Sequence, residues 1–501
     1  MTHSNGRRRV VVTGQGVVTP LGTGVDRFWA ALKNGECGIR QAQSFSTEDL
    51  YITIAGEVPD FDPRERLKSK PLMLADKYSQ YAGCAAQEAV AMGKLETPIK
   101  DPASYRSACI IGSGVGGLTT LEFSYKMLFK ENKRATHPLT LLKAIGSSAS
   151  AHVSIDHGIK GPTFGVVSAC STATHAIGMT YRMIREGLVD LGIAGAAEAS
   201  LNWGATRAWQ AMRVLSPDGL WPFAKKRNGT VLAEGAGILM LEDYEHAKER
   251  GAPIFAELLG YGMTADAADM VNPSIDGASM AMQMALDDAR LAPSDIDYIN
   301  AHGTATAVND INETNAIKRV FGNAANKLSI SSTKSMHGHC LGAGGGIEAV
   351  AAVKSIGEKF VPPTVVRDGP EGIGSVQLFI PHDQTASFFE QREKPELVPH
   401  VREVRKKYLD PDHPPASSLV GVAALLSRRT SKLSVAVGAS AVLTSSVRTP
   451  QSIWSRDRDC GVAAAPTRSG CRTAGILRRR MRSVSYQFRS APSSETPWRS
   501  C

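Results

Sequence analysis

Seven short apolar stretches punctuate the chain up to residue 383: "RRVVVTG", "SACIIGSG", "TFGVVSA", "VDLGIAGAA", "GAGILMLED", "DIDYINAHG" and "KLSISSTK". Several are continuous β-branched runs ending in Gly or Ser, the pattern of strands covered on both faces. Between them lie helical patterns, "DKYSQYAGCAAQEAVAMG", "STATHAIGMTYRMIREG", "GASMAMQMALDDARL", "NDINETNAIKRVFG" and "GIEAVAAVKSIGE". The alternation predicts an α/β fold with a parallel or mixed sheet, and it puts functional groups at the carboxyl ends of strands.

From Thr385 onward the texture changes to Arg, Ser and Ala, and regular periodicity stops after "PELVPHVREVRKKYLD". This matters for the net charge of +9: residues 384–501 hold 20 Lys+Arg against 9 Asp+Glu, leaving 37 against 39 in residues 1–383. The body is nearly neutral, so a nucleic-acid partner is not expected. With 501 residues, 43% hydrophobic, 21% charged and 47 Gly, the chain reads as a soluble globular protein of one large or two intimate domains. Its eight cysteines form no CxxC and no regular spacing, which argues against a disulfide framework or zinc ribbon and fits a reducing cytoplasm. The start, "MTHSNGRRRVVVTGQGVVTPLG", reads as a first strand rather than a signal peptide. The most apolar tail segment, "LVGVAALLSRRTSKLSVAVGASAVL", is cut by Arg428, Arg429 and Lys432, so no transmembrane segment is expected.

Three strand ends carry candidate chemistry. "TFGVVSA" running into "STATHAIGMTYRMIREG" sets Cys170 on a strand-to-helix turn, where free amides and the helix dipole favour a thiolate and small neighbours admit a substrate. The competing local reading is a small buried hydrophobe. "DYINAHGTATAVND" brings His302 to a second strand end, and "SISSTKSMHGHCLGAGGGIEAV" brings Lys334, His337, His339 and Cys340 to a third, ahead of a helix with Glu348. His337, His339 and Cys340 are too crowded in sequence to face one tetrahedral ion, so no metal is expected. "GSGVGG" at 112–117 matches GxGxxG, but no acidic residue ends a second strand about 20 residues on, so it reads as a tight turn beside the site. A nicotinamide-dependent oxidoreductase is the rival reading built on that motif.

Taken together, these stretches resemble the β-ketoacyl-acyl carrier protein synthases of the thiolase superfamily. The resemblance runs over about residues 7–383 in six ordered blocks: "VVVTGQGVVTPLG", "SACSTATHAIG", "PFAKKRNGTVLAEGAGILMLEDYEHAKERGA", "NAHGTATAVND", "STKSMHGHCLGA" and "VPPT". It implies a thiolase-like fold of two related βαβαβαββ halves, layered α-β-α-β-α. Residues 1–259 would carry the nucleophile and 260–383 the two histidines. By the same resemblance, Cys170 takes an acyl group as a thioester, and His302 and His339 bind the malonyl thioester carbonyl during decarboxylative condensation. Lys334, paired with Glu348, organises the site, Thr304 and Thr306 line the pantetheine channel, and Asp310 and Glu313 hold the loop. No metal or redox cofactor is implied. The implied partners are an acidic acyl carrier protein, with docking residues Arg64, Arg66, Lys68 and Lys70 of "PRERLKSK" and Arg213 of "AMRVLS", and a second copy of the chain as a homodimer. Within the family, "WQAMRVLSPDG" and "KSMHGHCLGA" resemble members that serve the acyl chain of a nodulation signal rather than of fatty acids. The implied location is cytoplasmic, with peripheral contact at the inner membrane left open.

Two departures stand out. His337 occupies a position where the family usually has Thr. After "QLFIPHD" the family continues to a final strand pair with a Gly-Phe-Gly-Gly-Thr-Asn-like turn, which supplies a gating aromatic and an oxyanion-hole amide. The sequence shows no such block between Gln384 and Cys501. The expectation is therefore that the last strands are missing and that 384–501 is a basic tail, out of frame or disordered. That keeps a non-catalytic acyl-binding subunit, or an inactive remnant, as the alternative to a condensing enzyme. A degradative thiolase fits less well, because its second catalytic cysteine has no counterpart.

Overall fold

Strand β1 (Val10–Thr19) is buried over its whole length. It lies between β5 (Gly235–Asp243) and β6 (Ala256–Tyr261), antiparallel to both. The computed structural model describes residues 7–268 and 273–365, with the strand backbones at 376–377, 434–437 and 441–444. In it, β2 (Ser107–Gly112), β3 (Thr163–Phe164), β4 (Leu191–Glu198), β7 (Tyr298–Asn300) and β8 (Ser329–Ser331) join that core, as do β9 (Ser434–Val437) and β10 (Ala441–Thr444). The sheet runs β8-β7-β9-β10-β6-β1-β5-β4-β2-β3. Pairing is parallel for β3-β2-β4 and β8-β7-β9, and antiparallel elsewhere along the sheet. The sheet is therefore mixed, and the apolar runs of β1, β2, β4 and β5 are buried at every residue.

The five expected helices form where the periodicity puts them: α1 (Lys77–Met92), α2 (Thr172–Arg185), α3 (Ile275–Ala289), α4 (Asn309–Phe321) and α5 (Gly344–Glu358). Helix α1 packs on one face of β1, β5 and β4, whereas α2 and α5 pack against each other and against the opposite face. Helix α5 also touches β9, and α3 packs on β6 with α4 beside it. The resulting order is helix, one wing of the sheet (β3-β2-β4-β5-β1), paired helices, the other wing (β6-β10-β9-β7-β8), helices, the layering expected of a thiolase-like fold. Glycine makes two of these contacts possible. A Cβ at Gly16 would lie 1.9 Å from the Ala85 carbonyl oxygen on α1, and one at Gly237 would lie 2.1 Å from the Gly346 carbonyl carbon on α5. Strand and helix backbones thus touch directly, which explains the glycine run that opens α5.

The two halves repeat a local device. A 3₁₀ turn at Ala169–Ser171 leads into α2, and one at Leu341–Ala343 leads into α5. Both begin with a residue at φ 42°. Gly342 occupies in the second turn the place that Cys170 occupies in the first.

The expectation of missing last strands is corrected. Strands β9 and β10 pair antiparallel and fill the slot between β7 and β6. "SVAV" and "AVLT" have strand propensity and flank a short Gly-Ala-Ser link, enough for a hairpin without the family's motif. The link itself lies outside the described residues, as does the rest of the tail, and the link's Gly-Ala-Ser sequence holds no aromatic. Strands at the functional ends are also shorter than expected: of "TFGVVSA" only Thr163–Phe164 is strand.

Candidate active site

Cys170 sits in the middle of the 3₁₀ turn at the start of α2. Its Sγ lies 3.0 Å from Nε2 of His339, contributed by the other half of the fold. His302, which follows β7, stands edge-on to His339 with ring centroids 5.3 Å apart. The sulfur and one nitrogen of each ring all lie within 4.8 Å of one another. Both histidines are buried, whereas Cys170 as a residue keeps partial exposure.

Each member is fixed from behind. Glu313 on α4 accepts the backbone N–H of His302 at 2.6 Å and of Gly303 at 2.8 Å. Asp310 accepts the amides of Phe223 and Ala305, with Arg227 3.7 Å away. Asp310 and Glu313 therefore hold the loop. Thr304 and Thr306 lie on that loop with hydroxyls 3.1 Å apart. Lys334 donates to Glu348 inside the core, each 1% exposed.

The electrostatics follow from burial. Desolvation pushes the Cys170 thiol up to about 11, outweighing the pull of Lys334, while Glu198 and Glu348 push it further up. Against the expected thiolate, burial favours the thiol as the resting group at pH 7. Burial, Lys334 and the neighbouring imidazoles hold His302 and His339 well below the usual range, so both are neutral at pH 7. Neutral imidazoles each offer one N–H donor and one acceptor. His339 Nδ1 has no hydrogen-bond partner among the described residues.

His337 points elsewhere. It is fully buried, with Nε2 3.1 Å from the Thr333 hydroxyl and Nδ1 4.0 Å from Cys340, and burial with Lys334 lowers it to about 3. The glycine turn also finds its place: the amides of Gly114 and Val115 are taken by the Glu198 carboxylate, not left open for a pyrophosphate. Glu198 escaped the sequence reading because nothing near it in sequence marks it as chemical.

Arg64, Arg66, Lys68, Lys70 and Arg213 are all exposed and lie outside the Cys170 cluster. Arg64 and Lys70 line an open cleft of about 730 Å³ with Phe61, Met73 and Leu74, whereas Arg66 lines a second cleft with Arg27 and Arg40. Arg213 follows the helix Trp203–Ala211 at φ 55°. Among the described residues, no helix is long and apolar enough to cross a membrane.

A thiol beside two neutral imidazoles, on turns that open the paired central helices of a thiolase-like fold, defines a cysteine acyltransferase of the condensing type. Residues 7–247 match the β-ketoacyl synthase N-terminal domain and residues 255–367 the C-terminal domain, and the chain belongs to the β-ketoacyl synthase family. It is 43% identical over 357 residues to nodulation protein E of Rhizobium sp. (strain N33), covering 71% of this chain and 88% of that one. It is 41% identical over 365 residues to 3-oxoacyl-[acyl-carrier-protein] synthase 2 of Staphylococcus aureus (strain N315), covering 72% and 88%. Among solved structures, the ishigamide ketosynthase/chain length factor superposes with a TM-score of 0.69 at 30% identity, covering 87% of this chain and 98% of that one. A ketosynthase from a type II polyketide system, solved with its acyl-carrier protein, gives 0.65 at 35% identity, covering 73% and 90%. The protein is a condensing enzyme of acyl-chain synthesis.

Proposed function

We propose that the chain forms β-ketoacyl-acyl carrier protein from an acyl thioester and malonyl-acyl carrier protein, with Cys170 as the acyl acceptor. In the first half-reaction Sγ attacks the acyl carbonyl, the new S–C bond forms, and the carrier's pantetheine thiol leaves. The Cys170 proton passes to His339 Nε2 and on to the departing sulfur. In the second, the malonyl C–C bond breaks, CO₂ leaves, and the electron pair moves onto the thioester oxygen, held by imidazole N–H groups of His302 and His339. The resulting carbon attacks the acyl-Cys170 carbonyl, the new C–C bond forms as the acyl–Sγ bond breaks, and the released sulfur takes up a proton from solvent to restore the thiol. The observation that carries this reading is the 3.0 Å contact between Cys170 and a histidine kept neutral by burial. Among the described residues Nδ1 of His339 has no partner, so none of them fixes its tautomer. Nε2 accepts a proton in one step and donates in the other.

Lys334 and Glu348 set the field of the site. Thr304 and Thr306 would bond the pantetheine amides, a role supported by their shared place on the His302 loop. Docking of the acidic carrier protein is assigned to Arg64, Arg66, Lys68, Lys70 and Arg213, on the support of their exposure and charge and of the carrier-bound ketosynthase to which this chain is similar. A homodimer is supported by exposed Phe123, Phe129, Leu141, Leu142 and Val167, and by the edge position of β3 in the sheet. The test is decarboxylation of malonyl-acyl carrier protein followed as CO₂ release. His302→Ala and His339→Ala are each expected to lower it by about a hundredfold. Equal rates in wild type and both variants would remove the histidines from the mechanism.

A further inference from the structure

The turn that follows β2 is built around one side chain. Glu198, at the end of β4, is 0% exposed. Ser113 Oγ donates to one of its oxygens at 2.9 Å, and the amides of Gly114 and Gly342 donate to the other at 2.8 and 3.0 Å. The glycines make this possible. A Cβ on Gly114 would stand 2.7 Å from that oxygen, and one on Gly342 would stand 2.6 Å from the Gly114 nitrogen. Just before the turn, Gly112 packs against the segment that leads to Cys170, since its Cβ would meet the Val166 carbonyl oxygen at 2.3 Å. Gly342 lies three residues beyond His339. One buried carboxylate therefore joins the loop supporting the nucleophile to the turn supporting its histidine, and these belong to different halves of the fold.

We propose that Glu198 is a positioning residue whose carboxylate clamps the two halves together and so sets the contact between Cys170 and His339. The "GSGVGG" turn is then the receptor of an internal anion, its amides spent on a carboxylate as a phosphate-binding turn spends its own on a ligand. The charge has a second effect. Burial raises the Glu198 carboxyl only to about 6, so above that pH it is an anion near the sulfur and disfavours the thiolate. The other groups that act on or line the sulfur are Lys334, Glu348, His302 and His339.

The proposal rests on Cys170 and His339 being the reacting pair, so the test reads that pair without any acyl substrate. The full-length protein is treated with iodoacetamide across a pH series, and alkylation of Cys170 is followed by peptide mass spectrometry with exposed Cys37 as internal reference. Glu198→Gln keeps an oxygen for Gly114 and Gly342 and turns its amide to Ser113, so the loops stay joined while the charge is lost. The expected result is a Cys170 profile displaced to lower pH, about threefold faster at pH 8 for a half-unit displacement, with Cys37 unchanged. Glu198→Ala removes the clamp. His339→Ala is then expected to alter the Cys170 rate in the wild-type background but not in Glu198→Ala. An additive cycle overturns the clamp, and an unchanged profile in Glu198→Gln overturns the charge effect; if Glu198→Ala does not fold, the same cycle is read in Glu198→Asp, whose shorter side chain keeps the charge but withdraws from Gly114 and Gly342. A non-additive cycle in a protein that never carries an acyl group would keep the clamp and sink the condensation reading.

Discussion

Replacing Lys334 by Met tests the electrostatic frame of the site. Lys334 and Glu348 are each 1% exposed and donate and accept within the core, and the second oxygen of Glu348 has no other partner among the described residues. Removing the ammonium strands a carboxylate whose own range is already raised by burial even with Lys334 beside it. Breaking such a pair costs about 3–5 kcal/mol, against a total stability of about 5–15 kcal/mol. Lys334→Met/Glu348→Leu, which removes both charges and fills their volume, is expected to regain most of the loss. The deficit of the single variant also depends on pH. A carboxyl raised in the folded state carries no penalty where it is protonated both folded and unfolded, so the deficit is small below the ordinary carboxylate range, grows as the pH rises from that range to the raised value, and levels off above it. Guanidinium midpoints followed by circular dichroism at pH 5 and pH 8 measure this. Because Lys334 also lowers the Cys170 thiol, the single variant should alkylate more slowly at Cys170, opposite in sign to Glu198→Gln. A single variant as stable as wild type, or a double variant no better than the single, would refute the reasoning.

Other outcomes follow from the same geometry. His302 and His339 are held well below their ordinary range, so decarboxylation of malonyl-acyl carrier protein should stay level from pH 8 to about 6; a fall centred near 6.5 would show imidazoles of ordinary basicity. Glu313→Gln leaves one of the His302 and Gly303 amides without an acceptor. It should lower stability by about 1–3 kcal/mol and reduce kcat more than KM, as read from denaturation and steady-state rates. On α5, Gly346→Ala drives a Cβ to 2.3 Å from the Gly237 carbonyl oxygen and should give misfolded protein, whereas Gly357→Ala meets nothing within 4 Å and should raise the melting temperature through about 0.5–1 kcal/mol of helix propensity.

The helices and most strands were legible because each pattern is local: α1 through α5 form where apolar residues recur at helical spacing. Cys170, His302, Lys334 and His339 were legible as separate strand ends, since strand ends are where an α/β fold presents side chains. Their mutual approach was not, because Cys170 and His339 are 169 positions apart and meet only through the stacking of two halves. The protonation of Cys170 was misjudged for a related reason. The dipole of its helix can be read locally, but the dryness of its surroundings is set by distant elements. Strands β9 and β10 were missed because their stretch lacks the family's glycine turn, although alternating Val and Ala suffices for pairing with β7 and β6. Glu198 had no sequence mark at all, as its role exists only where two loops converge.

Intact-protein mass spectrometry after incubation with C16-acyl carrier protein addresses the central claim most directly. The account predicts one acyl group on the wild-type chain, located on Cys170, discharged on addition of malonyl-acyl carrier protein and absent from Cys170→Ala. A chain that stays unacylated, or one acylated equally in Cys170→Ala, would contradict it.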